Sequence, residues 1–233
     1  KLPLQARYHG KVNEDTQIKL PPVQSDQQAP HPDLEALVTK HCGTRWRKPI
    51  PEHTQKSFDY AMDWLAERGN PPLVLDSFCG TGMSTKRLAE QHGGAAVIGL
   101  DKSAYRLTKH ADSSDQYLLL RAECEPFWQL LKSSNMKVAH HYLLYPNPWP
   151  KSSQLKRRVH GHPGFPLLAH LGGTLEMRSN WQVYAQEFAL ACALIGFKGT
   201  LEQLKVTTPW TLFEKKYSER NHTLWCFRGI FSD

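Results

Sequence analysis

The sequence has no long hydrophobic run. Its longest apolar stretch, Phe188–Phe197, is ten residues, about half of what a helix needs to cross a bilayer. The opening residues Lys1–Gln28 are polar and contain prolines, without the apolar segment of a secretory signal peptide. These absences predict a protein that neither spans a membrane nor is exported, and we expect it in the cytoplasm.

Cysteine is also scarce. The five cysteines are an odd number among 233 residues, and no two are spaced as in a CxxC pair. This argues against a disulfide framework and a cysteine-based zinc site, and predicts free thiols. The pairs His140–His141 and His160/His162 have no carboxylate or cysteine nearby in sequence to complete a metal site. We therefore expect no metal.

Acidic residues are missing from one long segment. The chain has 29 Lys+Arg against 22 Asp+Glu, a net charge of +7, yet Pro126–Leu175 contains no acid at all. The basic residues of that segment are Lys132, Lys137, Lys151, Lys156, Arg157 and Arg158. A clustered basic patch beside a binding site suits a polyanion such as nucleic acid. A solvated basic loop is the alternative interpretation.

The chain length fits one α/β domain with an extension. Residues 1–51 hold seven prolines and few apolar runs, which predicts an N-terminal extension that is draped over the domain or partly mobile. Within it, Thr44–Lys48 is basic and aromatic, which suits a contact with nucleic acid. We assign residues 52–233 to a single domain.

Short apolar runs alternate with helical patterns along this domain. The runs are Leu73–Leu75, Ala95–Leu100, Tyr117–Leu120, Val138–Tyr145 and Gly173–Met177. The apolar spacing predicts three helices: one over 53–68, one that begins after Gly82 and runs to Glu90, and one over Trp181–Ile195. Strands that alternate with helices indicate βαβ units, so we predict an α/β fold with a mainly parallel sheet.

A polar residue follows each predicted strand. These residues are Asp76, Asp101, Glu123, Asn147 and Asn180. Any one of them could be an ordinary turn residue or a helix N-cap. Because ligands bind at the carboxyl edge of an open α/β sheet, five such residues in register favour a ligand site.

The loop Asp76-x-x-x-Gly80-x-Gly82 indicates the class of ligand. Its glycines let the backbone approach a ligand closely, which also fits NAD(P). However, Thr85 stands where a dinucleotide motif has its third glycine, and the acid before the glycines suits an amino-bearing ligand. Asp101 is placed to accept from ribose hydroxyls and Glu123 from an adenine amino group. Together they fit S-adenosylmethionine better than NAD(P).

Three further motifs carry a family resemblance. The segment Tyr145–Lys151 (YPNPWPK), followed by Lys156–Arg158 (KRR), is similar to the FPDPWPK…KRR signature of the bacterial tRNA (guanine-N7)-methyltransferases. Thr211–Glu214 (TLFE) resembles that family's TKFE segment, and Ser179–Ala185 (SNWQVYA) resembles its TDxxxYA segment. The motifs occur in the family's order, and the resemblance spans about residues 53–229.

The resemblance implies a Rossmann-like, seven-stranded, mostly parallel sheet with helices on both faces. It also implies methyl transfer from S-adenosylmethionine to N7 of a guanine in the tRNA variable loop, and hence tRNA as the partner. The cofactor positions are then Asp76, Gly80, Gly82, Asp101, Glu123 and Asn147, with Asn147 also catalytic. The substrate positions are Lys151, Asn180 and Thr211–Glu214, and we expect Lys156, Arg157 and Arg158 to hold phosphates of the RNA.

The chain departs from the family at two pocket acids. Asn147 and Asn180 stand where the family has aspartates, so two negative charges are missing from the guanine pocket. Attack by guanine N7 needs no general base, so we expect these changes to slow the reaction without abolishing it. The alternatives are a weakly active or inactive RNA-binding relative, or a methyltransferase with a shifted RNA target.

Overall fold

The computed structural model describes residues 23–46, 48–110 and 114–231. Its centre is a seven-stranded sheet in the order β3-β2-β1-β4-β5-β7-β6. The strands are β1 (Leu73–Ser77), β2 (Ala96–Asp101), β3 (Tyr117–Arg121), β4 (His140–Leu144), β5 (Thr174–Ser179), β6 (Phe197–Gln203) and β7 (Trp225–Phe231). Strands β1 to β5 run parallel, and β7 is antiparallel to both β5 and β6.

Helices pack on both faces of this sheet. They are α1 (Leu34–Cys42), α2 (Glu52–Glu67), α3 (Met83–Gln91), α4 (Ala104–Leu107), α5 (Cys124–Ser133), α6 (Leu167–Leu171), α7 (Gln182–Leu194) and α8 (Leu212–Ser218). On the larger core, Phe58 of α2 meets Phe127 of α5 edge to face, with ring centres 5.3 Å apart. On the other face, Leu88 of α3 packs with Val74 and Val97. The predicted fold class is confirmed.

The central strands account for the short apolar runs in the sequence. Every residue of β1 and β2 is buried, because helices cover both faces of a parallel sheet. Each of the five apolar runs overlaps a strand, and the helices predicted from apolar spacing correspond to α2, α3 and α7. The apolar pattern therefore located the first five strands.

The N-terminal segment contains a helix that the sequence pattern did not reveal. Leu34 and Val38 of α1 are buried in the main core, and α1 lies against α7. Prolines flank this short helix, and few apolar residues mark its inner face. Residues 1–22 and Arg47 lie outside the described residues, and a domain boundary at residue 51 stays a prediction.

The sheet order fixes where a ligand would bind. The chain builds outward from β1 to β3, then returns to place β4 on the other side of β1. In an open α/β sheet the loops on the two sides of such a switch point diverge, and ligands bind in the crevice that they leave at the carboxyl ends of the strands. Within the described ranges, every helix is too short or too polar to cross a membrane.

Candidate functional site

Asp76 lies at the base of the crevice, near the end of β1, and is completely buried. Its Oδ2 accepts hydrogen bonds from Ser84 Oγ and Thr85 Oγ1, each at 2.7 Å. Its Oδ1 is buried and has no partner among the described residues. Burial raises the pKa of Asp76 to about 6, although the two hydroxyl bonds lower it. The carboxylate therefore has one oxygen available to a cationic or amino-bearing ligand.

The loop between β1 and α3 turns through left-handed backbone. Phe78 (φ 64°), Gly80 (φ 63°) and Gly82 (φ 79°) all have positive φ, which a non-glycine residue such as Phe78 adopts only under strain. A Cβ on Gly82 would lie 2.5 Å from Leu119 Cδ1, whereas a Cβ on Gly80 would meet no atom within 4 Å. Gly82 thus permits close packing, while Gly80 borders open space that a ligand can approach.

Asp101 connects this loop to the end of β2. Its Oδ2 accepts from the Gly80 N–H at 3.0 Å, and its Oδ1 accepts from the Ser103 N–H at 2.7 Å and from Arg106 at 2.9 Å. A carboxylate offers about four acceptor sites. Three are used here, so the predicted ribose acceptor retains capacity for a hydroxyl group.

Glu123 ends the loop that follows β3 and directly precedes α5. Its N–H donates to Thr54 Oγ1 at 3.1 Å. Its Oε2 accepts from Lys48 Nζ at 2.7 Å. The predicted adenine acceptor is therefore held by a lysine of the N-terminal segment, a contact that the sequence did not reveal.

The loop after β4 presents Asn147 to solvent in the crevice region. Tyr145 (φ 56°) and Trp149 (φ 45°) on either side have positive φ, and surrounding contacts hold them in this strained backbone. The Tyr145 N–H donates to the Arg178 carbonyl at 2.9 Å. Asn147 Oδ1 accepts from the Trp149 N–H at 3.3 Å. The side-chain carbonyl of Asn147 thus shapes the loop, and its amide group is the part left for a ligand.

Three of the predicted basic residues face solvent beside this loop. Lys151, Lys156 and Arg157 are exposed, and the Arg157 guanidinium lies 4.9 Å from the centre of the Trp149 ring. This cation–π contact covers the ring of Trp149 and leaves the charge accessible. Within this loop, Lys151, Lys156 and Arg157 are therefore the charges that an RNA phosphate can reach.

Arg158 requires a correction. Its side chain is fully buried, with Nη1 2.5 Å from Glu187 Oε2 and Nη2 3.0 Å from Gln27 Oε1. Its Nε donates to the Trp149 carbonyl at 3.2 Å. A buried guanidinium with these partners cannot contact a phosphate, so the prediction that Arg158 holds RNA is wrong. Arg158 instead anchors the loop to α7.

Glu214 also differs from the prediction that it contacts the substrate. It is buried, and its carboxylate accepts from Tyr145 Oη at 2.9 Å, from Arg178 Nη1 at 2.7 Å and from the Trp210 N–H at 2.5 Å. Burial and this carboxylate raise the pKa of Tyr145 well above its ordinary value, so the hydroxyl remains a donor. Glu214 therefore positions the Tyr145 side of the loop instead of facing a guanine.

The remaining predicted substrate residues occupy the ends of β5 and α8. Thr211 is the N-cap of α8, where its hydroxyl accepts from the Glu214 N–H at 2.9 Å. Asn180 is half-buried directly after β5. Thr211 accordingly has a structural function in the helix cap, and the substrate assignments of both residues stay predictions.

Arg178 is a site residue that the sequence did not reveal. It bridges Glu214 and Glu176, with Nη2 2.6 Å from Glu176 Oε1, and its guanidinium lies 3.8 Å from the centre of the Trp210 ring. The only hint of this residue in the sequence was a single arginine directly after a predicted apolar strand. Its partners are 2 and 36 residues away, so only the fold identifies its function.

Comparison with known proteins identifies the family of this chain. The model of a family described as "Putative methyltransferase" matches residues 70–227. A tRNA (guanine-N(7)-)-methyltransferase of Burkholderia lata is 25% identical over 183 residues, which are 70% of this chain and 69% of the relative.

Two solved structures share the fold. One is the 16S rRNA methyltransferase KamB, with a TM-score of 0.54 and 18% identity over 80% of this chain and 97% of that one. The other is a 16S rRNA (adenine(1408)-N(1))-methyltransferase from Catenulisporales acidiphilia with its cosubstrate SAM. It has a TM-score of 0.52 and 15% identity over 74% of this chain and 91% of that one.

Proposed function

The chain belongs to the putative methyltransferase family that it matches, and on that premise we propose that it transfers a methyl group from S-adenosylmethionine to N7 of a guanine in the variable loop of tRNA. The name of its Burkholderia relative supports this choice of base and RNA. The observation that carries the proposal is the juxtaposition at the switch point. There β1 and β4 end side by side, so the Asp76 loop borders the same edge of the sheet as the Asn147 loop, which carries the exposed cations Lys151, Lys156 and Arg157.

The residues around the first crevice loop fit the cofactor. Asp76 Oδ1 is the oxygen available for the ammonium group of the cofactor, and the open side of Gly80 gives room for its backbone. Asp101 would hold ribose hydroxyls, and Glu123 the adenine amino group. When bound, S-adenosylmethionine supplies an electrophilic methyl group on a sulfonium. An ammonium beside Asp76 would also favour the ionised carboxylate.

The protein's own contribution to the reaction is orientation. Guanine N7 carries a free lone pair, so no side chain has to remove a proton first. The strained loop around Asn147, held by Glu214 and Arg158, would place the base in line with the methyl group. Lys151, Lys156 and Arg157 would hold flanking phosphates, which position RNA without reading its sequence.

The cofactor assignment predicts a ligand-dependent gain in thermal stability. S-adenosylhomocysteine at 100 times its Kd should stabilise the native state by about 2.7 kcal/mol, or roughly 5–10 °C in melting temperature. Gly80→Ala should lose most of that gain, because the added methyl group would enter the open space that the ligand is proposed to occupy. The measurement is thermal unfolding with and without ligand.

Gly94→Ala is the matched control for this experiment. Gly94 also has positive φ (84°) and open space around its Cβ position, but it precedes β2 at the opposite edge of the sheet. Both substitutions should therefore cost about 1–2 kcal/mol of stability from backbone strain, while only Gly80→Ala reduces the effect of the ligand. Stabilisation by NADH and not by S-adenosylhomocysteine would overturn the cofactor assignment.

The RNA assignment predicts that reversing the two exposed charges beside Arg158 weakens tRNA binding, while Arg158 itself is left unchanged. Lys156→Glu with Arg157→Glu should weaken tRNA binding and reduce its salt slope by about 2, one for each phosphate that the variant no longer neutralises. Cofactor binding should be unchanged. The control reverses Lys132 and Lys198, which are exposed at the opposite edge of the sheet. An unchanged salt slope in the first variant would mean that this loop is only a solvated face.

A further inference from the structure

A second stretch without acidic residues lies in the N-terminal segment. Residues 36–51 contain no Asp or Glu, and they precede the part of the chain that the family model matches. Their described basic residues are Lys40, His41, Arg45 and Lys48. The family match therefore assigns no function to this charge.

Two contacts fix this stretch along one rim of the crevice. The Trp46 ring meets His162 edge to face, with centres 5.3 Å apart. Lys48 Nζ pairs with Glu123 at 2.7 Å, at the end of β3. His162 comes after the short turn Val159–Gly161 that follows Lys156 and Arg157, so the stretch links the loop of the exposed cations with the predicted adenine end of the cofactor site.

The charges along this rim remain accessible. Lys40 and Arg45 are exposed, and neither pairs with a carboxylate of the described residues. Helix α1, which carries Lys40, packs against the turn that follows Lys156. Burial lowers the pKa of His41, and the charges of Lys40 and Lys156 lower it further, as expected when both lysines lie near the same ring. Two acids also lie near this rim: Glu123 pairs with Lys48, and burial lowers the pKa of His162 more strongly than the charges of Glu125 and Glu123 raise it.

We propose that Lys40 and Arg45, with Lys48 beside them, bind phosphates of the tRNA and form the second half of its binding surface. This inference rests on the proposed function. The first half is the loop with Lys151, Lys156 and Arg157. Because α1 packs against the turn that follows Lys156, the two halves lie next to each other and would hold the RNA backbone at two neighbouring points.

The test is the double reversal Lys40→Glu with Arg45→Glu in the full chain, with unmodified tRNA as the probe. Binding should weaken at least about tenfold at low salt, and the salt slope should fall by about 2. The melting temperature and its rise with S-adenosylhomocysteine should match the wild type, because both side chains are exposed. The Lys132/Lys198 reversal again serves as the control of equal charge.

The outcomes separate this inference from the proposed function. If the Lys156/Arg157 reversal weakens tRNA binding and the Lys40/Arg45 reversal does not, the N-terminal surface is no part of the interface and the proposed function stands. If the wild-type protein neither binds nor methylates tRNA, both proposals fail. Equal losses of affinity in both double variants, with a larger loss when they are combined, support two independent halves of one surface.

Discussion

Glu187→Ala is expected to destabilise the fold by about 3–5 kcal/mol, because it leaves the guanidinium of Arg158 buried without a counter-charge. Glu187 is fully buried in α7, and its Oε2 accepts from Arg158 and from His160 Nε2 at 2.9 Å. Typical native stabilities are only about 5–15 kcal/mol. This loss would unfold a large share of the protein under mild denaturing conditions, and urea unfolding measures it.

The same substitution should release the N-terminal segment. Glu187 Oε1 accepts from Gln27 Nε2 at 2.5 Å and from the His31 N–H at 2.9 Å. Burial would raise the pKa of Glu187, but the hydrogen bonds from His160, Gln27 and Arg158 outweigh burial and lower it to about 2. The carboxylate is therefore ionised at neutral pH. We expect faster proteolysis before α1 in Glu187→Ala than in the wild type.

Glu202→Ala is the control for this experiment. Glu202 also pairs with an arginine, Arg228, but in an exposed position on β6, where an ion pair contributes about 0–1 kcal/mol. A loss for Glu187→Ala no larger than for Glu202→Ala would contradict the structural function of the Arg158 cluster. The cluster also shows that reversing Lys156, Arg157 and Arg158 together would test folding, not RNA binding.

Asn147→Asp is expected to raise the turnover of guanine methylation by roughly 10²–10³, the size of one electrostatic partner in a transition state. Asn147 Oδ1 accepts from the Trp149 N–H, and an aspartate oxygen keeps that bond. The loop should therefore retain its shape, and only the amide group becomes a charged oxygen. That oxygen would accept from guanine N1–H and N2–H₂ and offset the positive charge that develops on the ring.

The measurement is labelled methyl incorporation into unmodified tRNA, with the methyl position mapped in digested RNA. Asn180→Asp is the matched control. Asn180 is half-buried after β5. Its restored charge alone should increase turnover less, because an acid without its partner would take up a proton or pair with a lysine such as Lys151. A methyl group on an exocyclic nitrogen would show a shifted target, and no methyl in either protein would favour the RNA-binding alternative.

The strand ends show what sequence patterns can locate. Asp76, Asp101 and Glu123 follow apolar runs of the right length, and the structure places each at the carboxyl edge of the sheet. The directions of their side chains were not predictable. Glu123 reaches Lys48, 75 residues earlier in the chain, and no local spacing encodes such a pair.

The basic loop shows most clearly that a sequence motif does not predict which of its side chains are buried. Arg157 and Arg158 are adjacent and chemically identical in sequence, yet one is exposed over Trp149 and the other is buried. The difference depends on Glu187, 29 residues away, and on Gln27, 131 residues away. Only folding brings these three side chains together.

The sequence by itself determined the α/β class, the first five strands and the carboxyl-edge acids, because apolar periodicity and turn residues act over a few neighbouring positions. Its motifs also identified the methyltransferase family. The tertiary structure decided which charges serve the fold and which face solvent. It turned Arg158 and Glu214 inward and brought the N-terminal segment to the crevice, because a buried charge is stable only beside partners that distant parts of the chain supply.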